Sequence, residues 1–359
     1  MRFRLPTVVA GSTCWLLPSV CRADAGLLDR RADLRDWGFD PVIVINVCLV
    51  IWLYCRGRSW WRSRGSQRFR TAGQNGVHQV ISRWRATSFW LGILLLVVTL
   101  LSPLDAMAGQ LSSAHMVQHM LLMTVVAPLL VLGAPGLICF CGLPAFSRDC
   151  VARIRRMLDR RVWRSLWNPW LVWATYAVAM WAWHLPWPYQ AALRDQTAHD
   201  LQHASFLVAA LLFWRILLDP VSRRRLGHGQ AVLFLFTTTL HATVLGVLMT
   251  ISPRAWYPAY AGRTEWWGLT ALEDQQLAGL IMWMPACAPY LVFAIVAFVK
   301  LVSEPNDFPA MNPLPRLATT DRAENKCLAP VGHSTRRANR SQQVPETFYP
   351  HIAMAERRS

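Results

Sequence analysis

Long apolar runs dominate this sequence, and arginine-rich connectors separate them. A run of about 18 or more residues with few charges can satisfy its backbone polar groups in hydrocarbon only by forming a helix. Seven spans are expected, near 41–55, 86–104, 114–138, 169–187, 199–218, 230–251 and 277–300, the first being short and starting as early as Trp37. The fold class that follows is all-α: a polytopic membrane protein, a bundle of seven transmembrane helices. A soluble domain of this size would be less apolar than the observed 54% hydrophobic composition.

The formal net charge is +17, with only two lysines, Lys300 and Lys326. Such a balance can signal nucleic-acid binding, but here the arginines sort by connector. Arg56, Arg58, Arg62, Arg64, Arg68, Arg70, Arg83 and Arg85 lie between the first two expected spans; Arg148 to Arg164 supply seven more between the third and fourth; Arg223, Arg224 and Arg225 lie between the fifth and sixth. The alternate connectors carry little positive charge. This is the positive-inside pattern, and it accounts for the arginines without nucleic acid. It places the mature N-terminus outside and the C-terminus in the cytoplasm, as expected of a bacterial inner (cytoplasmic) membrane protein. Tryptophans at expected span ends, among them Trp60, Trp61, Trp167, Trp170, Trp187, Trp266 and Trp267, fit interfacial anchoring.

Residues 1–25 begin Met-Arg-Phe-Arg, pass through a short apolar stretch and end Ala23-Asp24-Ala25, which reads as a signal peptide. The membrane domain is expected over 26–301. Residues 302–359 are rich in proline, arginine and polar residues without helical periodicity, and read as a disordered cytoplasmic tail. None of the nine cysteines falls in an expected outer connector of the mature chain, so no disulfide framework is implied. Cys139-Phe140-Cys141 has a C-x-C spacing, which can bind copper.

Ionisable groups inside spans are costly and therefore candidates for function. Six of the ten histidines lie in expected spans: His115, His119, His184, His199, His203 and His241. The topology puts the first five at one depth, just below the outer surface, and His241 near the middle of the sixth span. His115 and His119 are i and i+4, as are His199 and His203, so each pair shares a helix face and can hold one metal ion. Asp200 is placed to orient a neighbouring imidazole. A single span histidine is usually a satisfied packing residue; two pairs and His184 at one depth are harder to explain so. Met116 and Met120 interleave with His115 and His119, and Met107, Met123, Met249, Met282 and Met284 lie towards the same side. Thioether with imidazole suits a soft ion, Cu(I), although methionine also fills gaps in any core. The acidic run Leu272-Glu273-Asp274-Gln275-Gln276 reads either as a favourable start to the last span or as an outer docking or metal-uptake site. Pro128, Pro135, Pro186 and Pro285 are expected to kink or end helices. No nucleophile elbow, phosphate-binding loop or dinucleotide fingerprint occurs, so the chain does not read as an enzyme. No lysine sits mid-span in the last helix, which argues against a retinal protein.

Several stretches together resemble the seven-span CtaG family of cytochrome c oxidase assembly factors. They are Ser113-Ala-His-Met-Val-Gln-His-Met-Leu-Leu-Met, Pro128 to Pro135, Asn168-Pro-Trp-Leu-Val-Trp, Trp183-His-Leu-Pro, His199-Asp-Leu-Gln-His-Ala-Ser-Phe, Thr239-Leu-His, Tyr257-Pro-Ala-Tyr and Leu272-Glu-Asp-Gln-Gln-Leu-Ala-Gly-Leu-Ile-Met-Trp, within about 37–300. The resemblance implies a part in maturing a respiratory haem-copper oxidase, with copper delivery or insertion as the activity. It implies a site at His115, His119, His184, His199, His203 and His241. Oxidase subunits, and a periplasmic copper chaperone as the source of the ion, are the implied partners. The expected mechanism is ligand exchange of Cu(I) near the outer face. Three other readings stand beside it: a haem-b protein with axial histidines from two spans, a copper transporter, and a scaffold whose histidines only join helices.

Overall fold

Helix boundaries fall where proline, glycine and polar residues interrupt the apolar runs. The computed structural model describes residues 31–33, 35–68, 82–157, 168–218 and 226–303. All of them belong to one compact unit, Met1–Arg316; a second unit, Leu317–Ser359, lies outside the described residues. The signal segment expected at 1–25 is also outside them, as is the expected tail beyond Ser303.

Among the described residues every regular element is helical: α1 (Pro41–Arg68), α2 (Arg83–Leu101), α3 (Pro103–Ala108), α4 (Ser112–Leu132), α5 (Pro135–Gly142), α6 (Ala145–Met157), α7 (Pro169–His184), α8 (Pro186–Arg194), α9 (Gln196–Leu218), α10 (His228–Ile251), α11 (Ala271–Trp283) and α12 (Ala288–Ser303), with short 3-10 turns at Pro258–Tyr260, Thr264–Trp267 and Pro285–Cys287. Six stretches are long and apolar enough to cross a membrane: Pro41–Ser63 of α1, α2, α4, α9, α10 and the continuous run Ala271–Ser303 through α11 and α12. The fourth expected span is α7, with 16 residues, about 24 Å at the helical rise. It stops short of the expected 187 because Leu185 is extended and Pro186 opens α8. The seven expected spans are thus six full-length helices and one short one.

Outward faces carry Leu94, Val178, Phe236, Leu240, Val296 and Phe298, all exposed. Apolar surface on this scale requires a hydrocarbon surround, and the chain is a multi-pass membrane protein.

Pro135, Pro186 and Pro285 sit at helix boundaries, as expected. Pro135 starts α5 after Ala134 adopts a left-handed φ of 51°, and Pro285 starts the 3-10 turn that breaks the last span. Pro128 lies just past a π turn, Leu122–Val126, in the middle of α4. Wider turns free backbone groups, and the buried Trp214 of α9 donates its indole N–H to the Met123 carbonyl at 2.8 Å. That bond ties α4 to α9 in the core. Close approach of α10 and α11 depends on two glycines. A Cβ on Gly279 would meet Thr250 Oγ1 at 2.5 Å and the Gly246 carbonyl oxygen at 2.6 Å.

Side-chain bonds fix which ends of the helices lie together. Gln118, near the start of α4, donates to the Thr99 carbonyl at the end of α2 (2.9 Å) and to Asp105 (2.9 Å). Arg85, at the start of α2, donates to the Leu132 carbonyl at the end of α4 (3.4 Å). The start of α4 is therefore at the end of the bundle opposite Arg83 and Arg85.

Candidate metal centre

Three helices deliver histidines to one place, because α4 and α9 begin at the end of the bundle where α7 finishes. On α4, His115 and His119 stand one turn apart with their Nε2 atoms 2.9 Å from each other. His203 of α9 completes the group: one ring nitrogen from each of His115, His119 and His203 lies within 4.8 Å of the others, and all three residues are buried. Ring centroids are 5.0 Å apart for His119 and His203, and 4.2 Å for His199 and His203. His199 is only half-buried.

The first turn of α4 is held from outside the helix. Leu111 precedes it and offers no side-chain cap. The fully buried Asp274 of α11 does this instead, accepting from Ser112 N (2.5 Å), Ser113 N (3.1 Å) and Ser113 Oγ (2.5 Å). A carboxylate here meets unsatisfied N–H groups and the positive end of the helix. The acidic run therefore acts structurally on two helices: Asp274 caps α4, while Glu273 forms a capping box with Thr270 at the start of α11. Gln275 accepts from Trp256 N and anchors the preceding loop.

Three tyrosines roof the cluster. Tyr189 and Tyr257 stack at 3.8 Å between ring centroids. Tyr257 donates to the His184 carbonyl at 2.8 Å, and Tyr260 to the Ala108 carbonyl at 3.1 Å. Burial pushes the Tyr189 hydroxyl up to about 12 and raises those of Tyr257 and Tyr260, so all three are neutral at ordinary pH. Tyr260 also lies 3.3 Å from His115 Nδ1. Its proton is committed to Ala108, so His115 donates from Nδ1. That assigns the lone pair to His115 Nε2, on the side of the cluster. The His115–His119 contact is then a bond donated by His119 Nε2–H.

His184, at the end of α7, is 2% exposed, and its ring is 6.4 Å from that of His119. Its Nδ1 is 2.6 Å from the Met180 carbonyl, an acceptor only, so the proton is on Nδ1. Nε2 of His184, Nε2 of His203 and Nδ1 of His119 are buried without a hydrogen-bond partner. Buried imidazole nitrogens are ordinarily paired, and three unpaired ones on neighbouring rings leave positions that a ligand could pair with.

Of the expected site residues, the structure brings together His115, His119 and His203, with His199 and His184 flanking them. His241 is elsewhere: its ring neighbours are Trp173 (5.7 Å) and Tyr176 (6.4 Å). Met116 and Met120 are buried in the apolar core with Met123, Met180, Met249 and Met282. The carboxylate of Asp200 accepts from Gln196 at 2.9 Å instead of from an imidazole. Cys139 and Cys141 are two residues apart on α5, so their thiols leave the helix on nearly opposite sides and do not converge. The tyrosine roof was missed. Tyr257-Pro-Ala-Tyr was visible as a motif, but its spacing says nothing of where a loop folds.

The fold and site define a multi-pass helical membrane protein with an all-histidine cluster buried near one end of its bundle. The family model for the cytochrome c oxidase caa3 assembly factor (Caa3_CtaG) matches residues 52–304, and the chain belongs to this family. Curated relatives include two uncharacterized proteins, Mb0105 of Mycobacterium bovis and MT0111 of Mycobacterium tuberculosis, each 30% identical over 276 residues. The match covers 74% of this chain and 39% of each relative, so the chain spans about two fifths of their length. No solved structure matches the chain.

Proposed function

We propose that this protein serves the assembly of a haem-copper cytochrome c oxidase by binding Cu(I) on His115, His119 and His203 and handing it to an oxidase subunit at the extracytoplasmic face of a bacterial cytoplasmic membrane. The observation that carries the reading is the convergence of three buried ring nitrogens within 4.8 Å. A three-coordinate ion with metal–nitrogen bonds of about 2.0 Å needs nitrogens about 3.5 Å apart. The 2.9 Å pair would open by about half an ångström to admit an ion, with the His119 proton moving from Nε2 to Nδ1 so that the imidazole stays neutral. All three ligands are neutral, and no thiolate or carboxylate joins the group among the described residues. In a dry site the desolvation cost scales with charge squared, so a divalent ion costs about four times as much as a monovalent one. That favours Cu(I) over Zn(II).

Arg83 and Arg85, at the start of α2, lie at the opposite end of the bundle from the cluster, and the positive-inside rule supports reading the cluster as the outer side.

The test is anaerobic loading of the purified full chain with Cu(I). About one tightly held ion per chain is expected, lost in a His115→Ala/His119→Ala/His203→Ala variant and kept in His241→Ala. Oxidase activity should fall in cells carrying only the triple variant. Equal binding by the native and triple-variant proteins, with both folded, would overturn the copper reading and leave the scaffold.

A further inference from the structure

The histidines are arranged as a line with two different ends. Ring contacts run from His199 to His203 (4.2 Å), from His203 to His119 (5.0 Å) and from His119 to His184 (6.4 Å). The two ends meet different surroundings. His199 is half-buried and stands beside Asp200, a half-buried carboxylate that accepts from Gln196. A carboxylate beside the more open end of the line attracts a cation. His184 instead lines an open apolar groove of about 210 Å³ between α7 and α10, with Trp181, Leu185, Leu245, Leu248 and Trp256.

Chemistry separates His184 further. The Met180 carbonyl holds its proton on Nδ1, and its Nε2 lone pair is buried without a partner. It can therefore accept a metal ion with no proton to lose and no ring flip, which a ligand used in transit requires. The extracytoplasmic roof offers no comparable way out, because Tyr189, Tyr257 and Tyr260 are buried and bonded across it.

We propose that the cluster is a one-way relay: the cation enters at His199, rests on His115, His119 and His203, and leaves through His184 into the groove between α7 and α10. In the exit step the ion keeps its charge and oxidation state. A bond to His119 or His203 breaks as one to His184 Nε2 forms, and an acceptor side chain reaching into the groove then displaces His184. An apolar exit suits an acceptor whose metal site is itself embedded in the membrane. This inference rests on the Cu(I) reading above.

The experiment loads the full chain with Cu(I) and follows two quantities, bound metal at equilibrium and the rate of release to a Cu(I) chelator. His184→Ala should bind about as much copper as the native chain and release it about tenfold more slowly, the rate ratio of a barrier raised by about 1.4 kcal/mol. Leu248→Trp, which fills the groove and leaves every histidine in place, should slow release in the same way. His199→Ala should slow loading and leave release unchanged. Native release rates in both His184→Ala and Leu248→Trp, with binding intact, would overturn the relay and spare the copper site. Loss of bound copper in His184→Ala as complete as in His119→Ala would make His184 a resident ligand and also overturn it. A native chain that binds no copper would overturn both readings.

Discussion

Replacing Asp274 with alanine removes the group that starts the helix carrying His115 and His119. Three donors lose their acceptor: Ser112 N, Ser113 N and Ser113 Oγ. A lost N-cap costs about 1 kcal/mol, and each buried donor left unsatisfied about 1–3 kcal/mol. Asp274 and both serines are buried, but the site lies near a bundle end, where water can reach part of what is exposed. The cap and the donors describe the same bonds, so the three donors alone are counted, and a destabilisation of about 3 kcal/mol follows, the lower end of their sum. Asp274→Asn keeps one carbonyl oxygen and loses the charge, so about half that loss is expected. Ser113→Ala removes one of the three bonds and should cost about 1 kcal/mol. The assay is reversible unfolding in mixed micelles, titrated with a denaturing detergent, with metal binding measured on the folded fraction. Because Ser112 and Ser113 form the turn that leads into His115, two and three residues before it, the alanine variant should also hold copper more weakly. If Asp274→Ala lies within about 0.5 kcal/mol of the native chain, the range of an ordinary surface change, α4 is held by something other than this carboxylate.

Three further outcomes can be checked in the same preparation. Trp214→Phe keeps the ring but strands the Met123 carbonyl at the π turn, and should lower stability by about 1–3 kcal/mol in the same unfolding titration. Gly279→Val forces α10 and α11 apart against Thr250 and the Gly246 backbone; it should cost at least about 1–3 kcal/mol and be read as a lower yield of folded protein on size exclusion. The raised hydroxyls of the tyrosine roof make stability depend on pH in one direction only. The unfolded chain ionises near pH 10 while folded Tyr189 stays protonated to about 12, so the unfolded state binds fewer protons in between. The contribution is complete below pH 10 and is lost as pH rises towards 12, which a series of thermal scans would show as a midpoint that drops only above pH 10. An unchanged midpoint there would mean that the three rings are wetter than their packing implies.

Much of this protein is written along its chain. Lipid and water demand different surfaces, so apolar length alone marks α1, α2, α4, α9 and α10, and i, i+4 spacing alone puts His115 with His119 and His199 with His203 on shared faces. Depth followed from topology, which is why five histidines were expected at one level before any packing was known. What a linear pattern lacks is rotation about each helix axis. Depth does not say whether an imidazole faces its neighbours or points away from them, and this is why His203 joins the cluster and His184 waits beside it. His241 shows the same limit, being in a span and yet facing Trp173 and Tyr176. The acidic run was legible as a helix start, but the helix that Asp274 caps is 162 residues away in the chain. The sequence by itself determined the membrane setting, the end of the bundle at which chemistry is concentrated and the residue types available there. Tertiary packing alone decided which nitrogens converge, which tautomers they hold and which of them are left without a partner, because those depend on contacts between helices that no single helix encodes.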